Sequence, residues 1–332
     1  MTEEVVAAID CGTNSTRLLI SGSNGSPLER LQRITRLGAG VDSTGLLSDA
    51  GIERTIEVLS EYRQLMDVHQ VARGRVVATS AARDAANVDI FLQRVAEVTR
   101  MSPEILSGQE EALLSFTGAT ADLDHDGDTY LVVDVGGGST ELVVGTSGDR
   151  SDGSNQIRAV SIDVGCVRIT ERYLHHDPPL SGEIEAAREE VRTLLPQPLQ
   201  LVGRLEWPKQ MVALAGTAST LAMLDRGLRT YDRELVHHWP LSLQRITELF
   251  DALATRSSLA RRLDYAIPEG RDDVIVAGTL VLLELMKLFN FEECLVSESD
   301  ILDGLVMSLL EQPGHEWTKK GSGLEQTEDD SK

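Results

Sequence analysis

Aromatic residues are scarce: Phe, Trp and Tyr together make up 4% of the 332 residues. Base-stacking platforms for nucleic acid are hard to build from so few rings. Positive charge is also in deficit, with 31 Lys and Arg against 53 Asp and Glu and a formal net charge of -22. That balance argues against nonspecific nucleic-acid binding and against docking to anionic membranes. Only three cysteines occur, Cys11, Cys166 and Cys294, far apart and without a CxxC pair. This is neither a disulfide framework nor a zinc site, and it points to a reducing cytoplasm. No apolar run reaches the roughly 18 residues of a membrane helix. The best candidate, 274–288, carries Glu284 and Lys287. The acidic opening MTEEVVAAID enters a strand pattern at once and does not read as a secretory signal. A G-x-S-x-G nucleophile elbow and a Walker A Gly-Lys-Ser/Thr are both missing.

Lysine is absent from residues 1–120, which hold 11 Arg and 16 acids, a net of -5; the remainder holds 20 basic and 37 acidic residues, a net of -17. An all-Arg inventory suits bidentate oxyanion recognition, although a genome biased toward Arg explains it equally well.

The length suggests two domains. A hydrophobic content of 41% and a charged content of 25% are ordinary for a globular chain. Periodicity predicts strands at 5–9 and 16–20 around a turn at 10–14, with a hairpin end at 21–26. A helix is expected over 48–68 with Ser48 as N-cap, and a short buried strand over 75–79. Further expectations are a helix at 89–99, an extended piece at 103–106 and a helix at 109–118. An acidic linker at 122–128 precedes a second set of strands from 130. Long helical regions follow Ser181 and Ser242, and a buried helix covers 274–289. Residues 312–332 are polar and read as a disordered tail.

The strongest internal signal is a repeat. Asp10-Cys-Gly-Thr-Asn-Ser-Thr-Arg-Leu-Leu-Ile20 aligns without gaps on Asp134-Val-Gly-Gly-Gly-Ser-Thr-Glu-Leu-Val-Val144, with Asp, Gly, Ser, Thr and Leu coinciding. Two matched copies suggest a duplicated unit, one opening each domain. Each copy is strand, Asp-x-Gly-x-x-Ser-Thr, strand. Small residues let successive backbone N–H groups close on an anion, and the hydroxyls of Ser15, Thr16, Ser139 and Thr140 add donors. The Asp at each strand end, Asp10 and Asp134, is an oxygen ligand suited to Mg²⁺ beside phosphate. The plainer alternative is two ordinary Asp-Gly hairpins.

After the shared Ser-Thr the copies diverge, to Arg17 in one and Glu141 in the other. Facing each other across a cleft, they would offer a cation for phosphate and a carboxylate for metal or water. A third loop with Gly216 and Thr217 has strand–Gly-Thr–helix character and adds the donors of a helix N-terminus. Arg83 follows a buried strand and is either an anion ligand or a surface residue. Glu110 and Glu111 open a helix, where acids also serve as first-turn caps. Adjacent helical residues diverge by about 100°, so at most one of the two points into a cleft. Asp122-x-Asp124-x-Asp126-Gly127 starts like a calcium loop, but Val133 stands where the twelfth-position Glu belongs. The pairs His175-His176 and His237-His238 lack the spacing of shared helical metal ligands and read as exposed turns.

Six segments in order, AAIDCGTNSTRLLI, VVATSAARDAAN, ILSGQEEALLSFTGA, LVVDVGGGSTELVVG, VALAGTASTLAML and RDDVIVAGTLVLLELM, resemble the motifs of the Ppx/GppA phosphatases, over about residues 5–310. These are exopolyphosphatases and guanosine pentaphosphate phosphohydrolases. The resemblance implies an α/β chain of two ribonuclease-H-like domains of the actin/hexokinase superfamily with the active site in the cleft between them. The first domain would span 1–121 together with a returning segment, 301–311; the second would span 129–300. Longer relatives continue into an HD-type domain, so this chain resembles the short two-domain branch.

Carried over by the resemblance, Glu111 activates the attacking water, and Asp134 and Glu141 sit with Mg²⁺ and that water. Asp10 joins the metal site. Asn14, Ser15 and Arg17 line the first phosphate loop, Gly136, Gly137, Gly138 and Ser139 the second, Gly216 and Thr217 the third, and Arg83 binds anion. The implied reaction is Mg²⁺-assisted (or Mn²⁺-assisted) removal of the terminal phosphate of inorganic polyphosphate, with hinge motion around 119–129. Guanosine pentaphosphate is the alternative substrate. A non-turning-over polyphosphate- or nucleotide-binding regulator and a sugar kinase of the same superfamily are further alternatives. Nucleic acid and membrane are not expected as partners, and a homodimer is left open.

Overall fold

The computed structural model describes residues 4–123, 127–146 and 157–311. The expected tail, 312–332, and residues 124–126 of the expected linker lie outside them.

The chain forms two mixed sheets flanked by helices. The first contains β1 (Val5–Cys11), β2 (Ser15–Gly22), β3 (Pro27–Ile34), β4 (Arg73–Ala78) and β5 (Pro103–Ile105), in the order β3-β2-β1-β4-β5. The second contains β6 (Thr129–Val135), β7 (Thr140–Thr146), β8 (Arg158–Ile162), β9 (Gln210–Leu214), β10 (Pro240–Ser242) and β11 (Glu293–Val296), in the order β10-β11-β9-β6-β7-β8. Without the added edge strand β10 the second order repeats the first. In both, three antiparallel strands are followed by two parallel crossovers. The duplication read from the sequence is thus a duplicated sheet with the strand order of the ribonuclease-H-like domains that the resemblance implies.

β1 and β6 are apolar on both faces because each sheet is covered on both faces. Ala7 and Ile9 face one cluster, with Leu59, Tyr62 and Phe91 of the flanking helices. Val6 and Ala8 face another, made with Ile301, Leu302, Leu305 and Val306. Those last four belong to the helix Ile301–Leu310, which packs on the first sheet. Conversely the helix Gly108–Thr120 lays Ala112, Phe116 and Ala119 on Tyr130, Val132, Val143 and Val212 of the second sheet. Each half therefore lends a helix to the other. The two helices cross at glycines: a Cβ on Gly118 would lie 1.9 Å from the Asp300 carbonyl oxygen, and one on Gly304 2.2 Å from that of Leu114.

The helix Asp49–Val68 begins where expected, with the Ser48 side chain accepting from the Gly51 amide. The buried helix runs Ile275–Leu288. β3 is one element the hydrophobic pattern did not predict, and the helix Cys166–Tyr173 is another; as an edge strand β3 has no buried residue, and it is held by its ladder to β2. All three cysteines are buried and free. No helix among the described residues is long and apolar enough to cross a membrane.

Candidate active site

The two repeated loops adopt one geometry. Asp10 pairs across the ladder with Arg17, and Asp134 with Glu141. The turn is closed in both by the same bond, Gly12 N to Ser15 O at 3.0 Å and Gly136 N to Ser139 O at 3.0 Å. The loops meet face to face: Gly137 lies against Thr13 and Asn14, and Gly138 against Ser80 and Thr13. Behind this contact a cleft of about 700 Å³, including its open mouth, separates the halves. Asp10, Asn14, Ser15, Arg17, Glu111 and Asp134 line it, with Gly136, Gly137, Gly138 and Ser139 opposite and Gly216 and Thr217 at one side. The third loop has the expected strand–helix form, and Ala215 at its apex sits at φ 65, a left-handed conformation costly for a residue with a Cβ.

Four carboxylates converge here. The helix start decides which glutamate enters. Glu110 closes a capping box with Ser107, its Oε2 accepting from the Ser107 amide at 2.9 Å. The next position is thereby turned inward, and Glu111 lines the cleft, its Oε2 accepting from Arg83 Nη1 at 2.6 Å. Asp134 Oδ2 accepts from Ser115 Oγ at 3.1 Å. Glu141 lies buried beneath Ser139, and its Oε1 accepts from Ser139 Oγ and Ser161 Oγ, both at 2.7 Å. Asp10 Oδ2 accepts from Arg17, while its buried Oδ1 has no hydrogen-bond partner.

Burial dominates the proton affinities. It pushes the Glu111 carboxyl up to about 7 against the pull of Arg83, and Asp134 up to about 6 against Arg17. Asp10 is raised by burial in spite of Arg17. Glu141 is raised well above its ordinary value, by burial and then by Glu111 and Asp134. The carboxylates outnumber the cations available to them. An orphaned oxygen on Asp10 and a set of hard oxygen donors fit a divalent cation such as Mg²⁺.

Two arginines sit differently from the expectation of free anion ligands. Arg17 lines the cleft, but its guanidinium is engaged by Asp10 Oδ2 at 2.5 Å and Asp300 Oδ2 at 2.6 Å. Burial would raise Asp300, but Arg17 and Arg30 outweigh it and hold that carboxyl below its ordinary value. Arg83 is outside the cleft lining and donates to Glu111 and to the Leu106 carbonyl, an orienting role.

The cation that sequence reasoning missed is Arg271. It lines the cleft beside Gly216 and makes only long contacts, 3.3 Å to the Gly216 carbonyl and 3.4 Å to Thr220 Oγ1. Burial lowers its proton affinity. Among the described residues no carboxylate pairs with it. It opens the segment RDDVIVAG, in which the apolar run that follows is the more conspicuous signal.

His237 and His238 are half-buried, not exposed turn residues, because both face Asp122. His237 Nδ1 accepts from the Glu298 amide at 3.0 Å, so Nε2 carries the proton it donates to Asp122 at 2.7 Å. That tautomer leaves no nitrogen lone pair on His237 free for a metal, although Asp122 and both histidines lie close together.

Comparison with known proteins gives a consistent result. The family model of the Ppx/GppA phosphatase family matches residues 20–313. The chain is 40% identical over 320 residues to a protein of Mycobacterium tuberculosis named exopolyphosphatase 2, covering 92% of this chain and 98% of that one. It is 27% identical to the guanosine-5'-triphosphate,3'-diphosphate pyrophosphatase of Photobacterium profundum, covering 93% of this chain and 60% of that longer protein. A crystal structure of an exopolyphosphatase-like protein superposes with a TM-score of 0.85 at 33% identity, over 93% of this chain and 98% of that one.

Proposed function

The chain belongs to the Ppx/GppA phosphatase family of hydrolases, and from that premise we propose that it is a cytoplasmic exopolyphosphatase that removes the terminal phosphate of short inorganic polyphosphate. The observation that carries the reading is the convergence of Asp10, Glu111 and Asp134, with the buried Glu141 behind them, on two facing amide loops, with the half-buried Arg271 beside them and no carboxylate paired to it among the described residues. Phosphoryl transfer needs chiefly positioning and charge stabilisation. The backbone amides of the repeated loops and of Gly216 and Thr217 cradle the terminal phosphate, and Arg271 meets its charge. Glu111 accepts the proton of the attacking water, oriented for this by Arg83. Asp10 and Asp134, with Glu141 behind them, would hold Mg²⁺ or Mn²⁺, which supplies positive charge against the phosphate oxygens. Ser115, Ser139 and Ser161 fix the directions of the carboxylates.

Substrate length follows from charge. A long polyanion needs an extended electropositive track, and in residues 121–332 the 20 basic side chains are outnumbered by 37 acidic ones. Long chains should leave between cuts. Guanosine pentaphosphate is the second reading, favoured by the relatives named for it, and the same site serves it. One assay separates them: phosphate release from short and long polyphosphate, guanosine pentaphosphate and ATP, with and without Mg²⁺. The expected result is fastest release from short polyphosphate, loss of activity in excess EDTA, and a ladder of intermediates on gels of a long-chain digest. Faster hydrolysis of guanosine pentaphosphate selects the second reading. Full activity in EDTA removes the metal from the mechanism, and untouched long chains beside free phosphate, without intermediates, contradict the preference for short ones.

A further inference from the structure

The turn at 268–273 enters the cleft from the second half, between the helix Ser258–Tyr265 and the helix Ile275–Leu288. It makes three contacts of different kinds. The Gly270 carbonyl accepts from Asn14 Nδ2 of the first phosphate loop at 3.0 Å. Asp273 pairs with Arg36 of the first half. Arg271 extends to the third phosphate loop. Gly270 has φ +81, and a Cβ there would lie 2.6 Å from Ile34 Cγ2, so the turn is seated directly on the end of β3.

A buried carboxylate holds this turn in shape. Asp272 is 2% exposed and does not line the cleft. Its Oδ1 accepts from the Gly270 amide at 2.8 Å, which closes the turn across Arg271. Its Oδ2 forms an ion pair with Arg262 Nε at 3.0 Å. Its carbonyl accepts from Arg261 Nη1 at 2.8 Å, and Arg261, also 2% exposed, donates its Nε to the Leu253 carbonyl at 2.9 Å. The residues on either side of Arg271 are thus tied down, one through its amide and the other through its side chain and carbonyl. The Arg271 guanidinium itself has only the two long contacts. Its position is set by the turn, not by partners at its tip.

We propose that Asp272 is a positioning residue for Arg271: by closing the turn it sets the guanidinium at the third phosphate loop, and through the Gly270 carbonyl it ties that placement to Asn14 across the cleft. This rests on the reading of Arg271 as a ligand of the substrate phosphate. A residue that acts only through Arg271 matters only while Arg271 is present, and a double-mutant cycle measures that.

The experiment compares the full-length protein with Arg271→Ala, Asp272→Ala and the double variant, using tripolyphosphate and recording KM and kcat separately beside the melting temperature. Arg271→Ala should raise KM about tenfold or more, the loss of a charged contact to phosphate. Asp272→Ala should raise KM by most of that factor with kcat changed far less, and the double variant should match Arg271→Ala. A purely structural role would lower the melting temperature and the active fraction without this split. If Asp272→Ala leaves KM unchanged while Arg271→Ala raises it, the positioning role is overturned and the reading of Arg271 stands. The positioning role is likewise overturned if Asp272→Ala raises KM equally in the Arg271→Ala background. If Arg271→Ala itself leaves KM unchanged, both fall. Should Asp272→Ala not fold, Arg262→Gln, which removes the ion pairs of Arg262 with Asp272 and with the exposed Glu269 and keeps the Asp272 carboxylate, carries the test. It should raise KM a few-fold in the parent and not in Arg271→Ala, and equal effects in both backgrounds would overturn the proposal.

Discussion

The loop after β1 and the loop after β6 share a backbone and differ in charge. Each ends its strand on an Asp, turns through a Gly whose amide reaches the Ser three residues on, and returns with a partner directly across from the Asp. In the first loop that partner is Arg17, whose guanidinium Asp10 shares with Asp300. In the second it is Glu141, and only serine hydroxyls support it. One side chain at one register position turns a compensated carboxylate into an uncompensated pair. The duplicated scaffold thereby supplies two facing amide loops from a single design, while the larger excess of negative charge lies in the second.

Three experiments can break or sharpen that contrast. The largest effect is expected at a residue belonging to neither loop. Glu111→Gln should lower kcat by roughly 10²- to 10⁴-fold with KM little changed, as loss of a general base does. Glu110→Gln should be mild, because Glu110 serves the capping box; the reverse pattern would exchange the two assignments.

The second experiment is thermodynamic and predicts opposite signs for the two loops. Arg17→Met leaves Asp10 buried without its cation and Asp300 with Arg30 alone, and should cost about 3–5 kcal/mol. Glu141→Gln should instead raise the melting temperature of metal-free protein at pH 8. Glu141, Asp134 and Glu111 have folded-state pKa values raised above the unfolded ones. Their protonated forms favour the fold; for Asp134 and Glu111 this contribution is full below about pH 4 and lost as pH rises through about 6 to 7, and Glu141 adds to it in the same direction. Metal-free protein should therefore lose stability between those limits, and Glu141→Gln should lose less. Melting curves in EDTA across this range decide it, and destabilisation by both substitutions at pH 8 would erase the contrast. The smallest effect tests the shared backbone. A Cβ on Gly12 meets the Ser15 carbonyl oxygen at 3.0 Å and one on Gly136 meets that of Ser139 at 2.9 Å. Gly12→Ala and Gly136→Ala should each cost about 1–3 kcal/mol, nearly equally, by denaturant titration; unequal costs would mean that the two turns are not equivalent.

What could be read in the sequence was what short segments determine alone. The Asp-x-Gly-x-x-Ser-Thr turns, the Ser48 cap and the exclusion of one of Glu110 and Glu111 from the cleft all depend on neighbours within a few residues. β3 escaped because an edge strand with Glu29, Arg30, Gln32 and Arg33 along it has no apolar alternation to read; its register comes from β2. The partner of Arg17 escaped because Asp300 lies 283 residues away. Arg83 follows its strand as expected, yet whether it meets an anion or Glu111 is decided by where the helix Gly108–Thr120 docks, and no local pattern carries that. Arg271 was hidden for the same reason: a turn between two helices gives no sign of which cleft it enters.

The exchange of helices between the halves has a consequence for how the chain is made. Val6, Ala8, Leu19 and Val77 of the first sheet are covered on one face by residues 301–306. During synthesis that face lacks the cover of residues 301–306 until they are translated, although every strand of the first sheet is finished by residue 105. The N-terminal half must wait with an apolar sheet face open to solvent, the state in which newborn chains aggregate or are held by chaperones. Slow translation of the second half prolongs that wait, so the yield of this protein depends on how quickly the helix Ile301–Leu310 follows the first sheet.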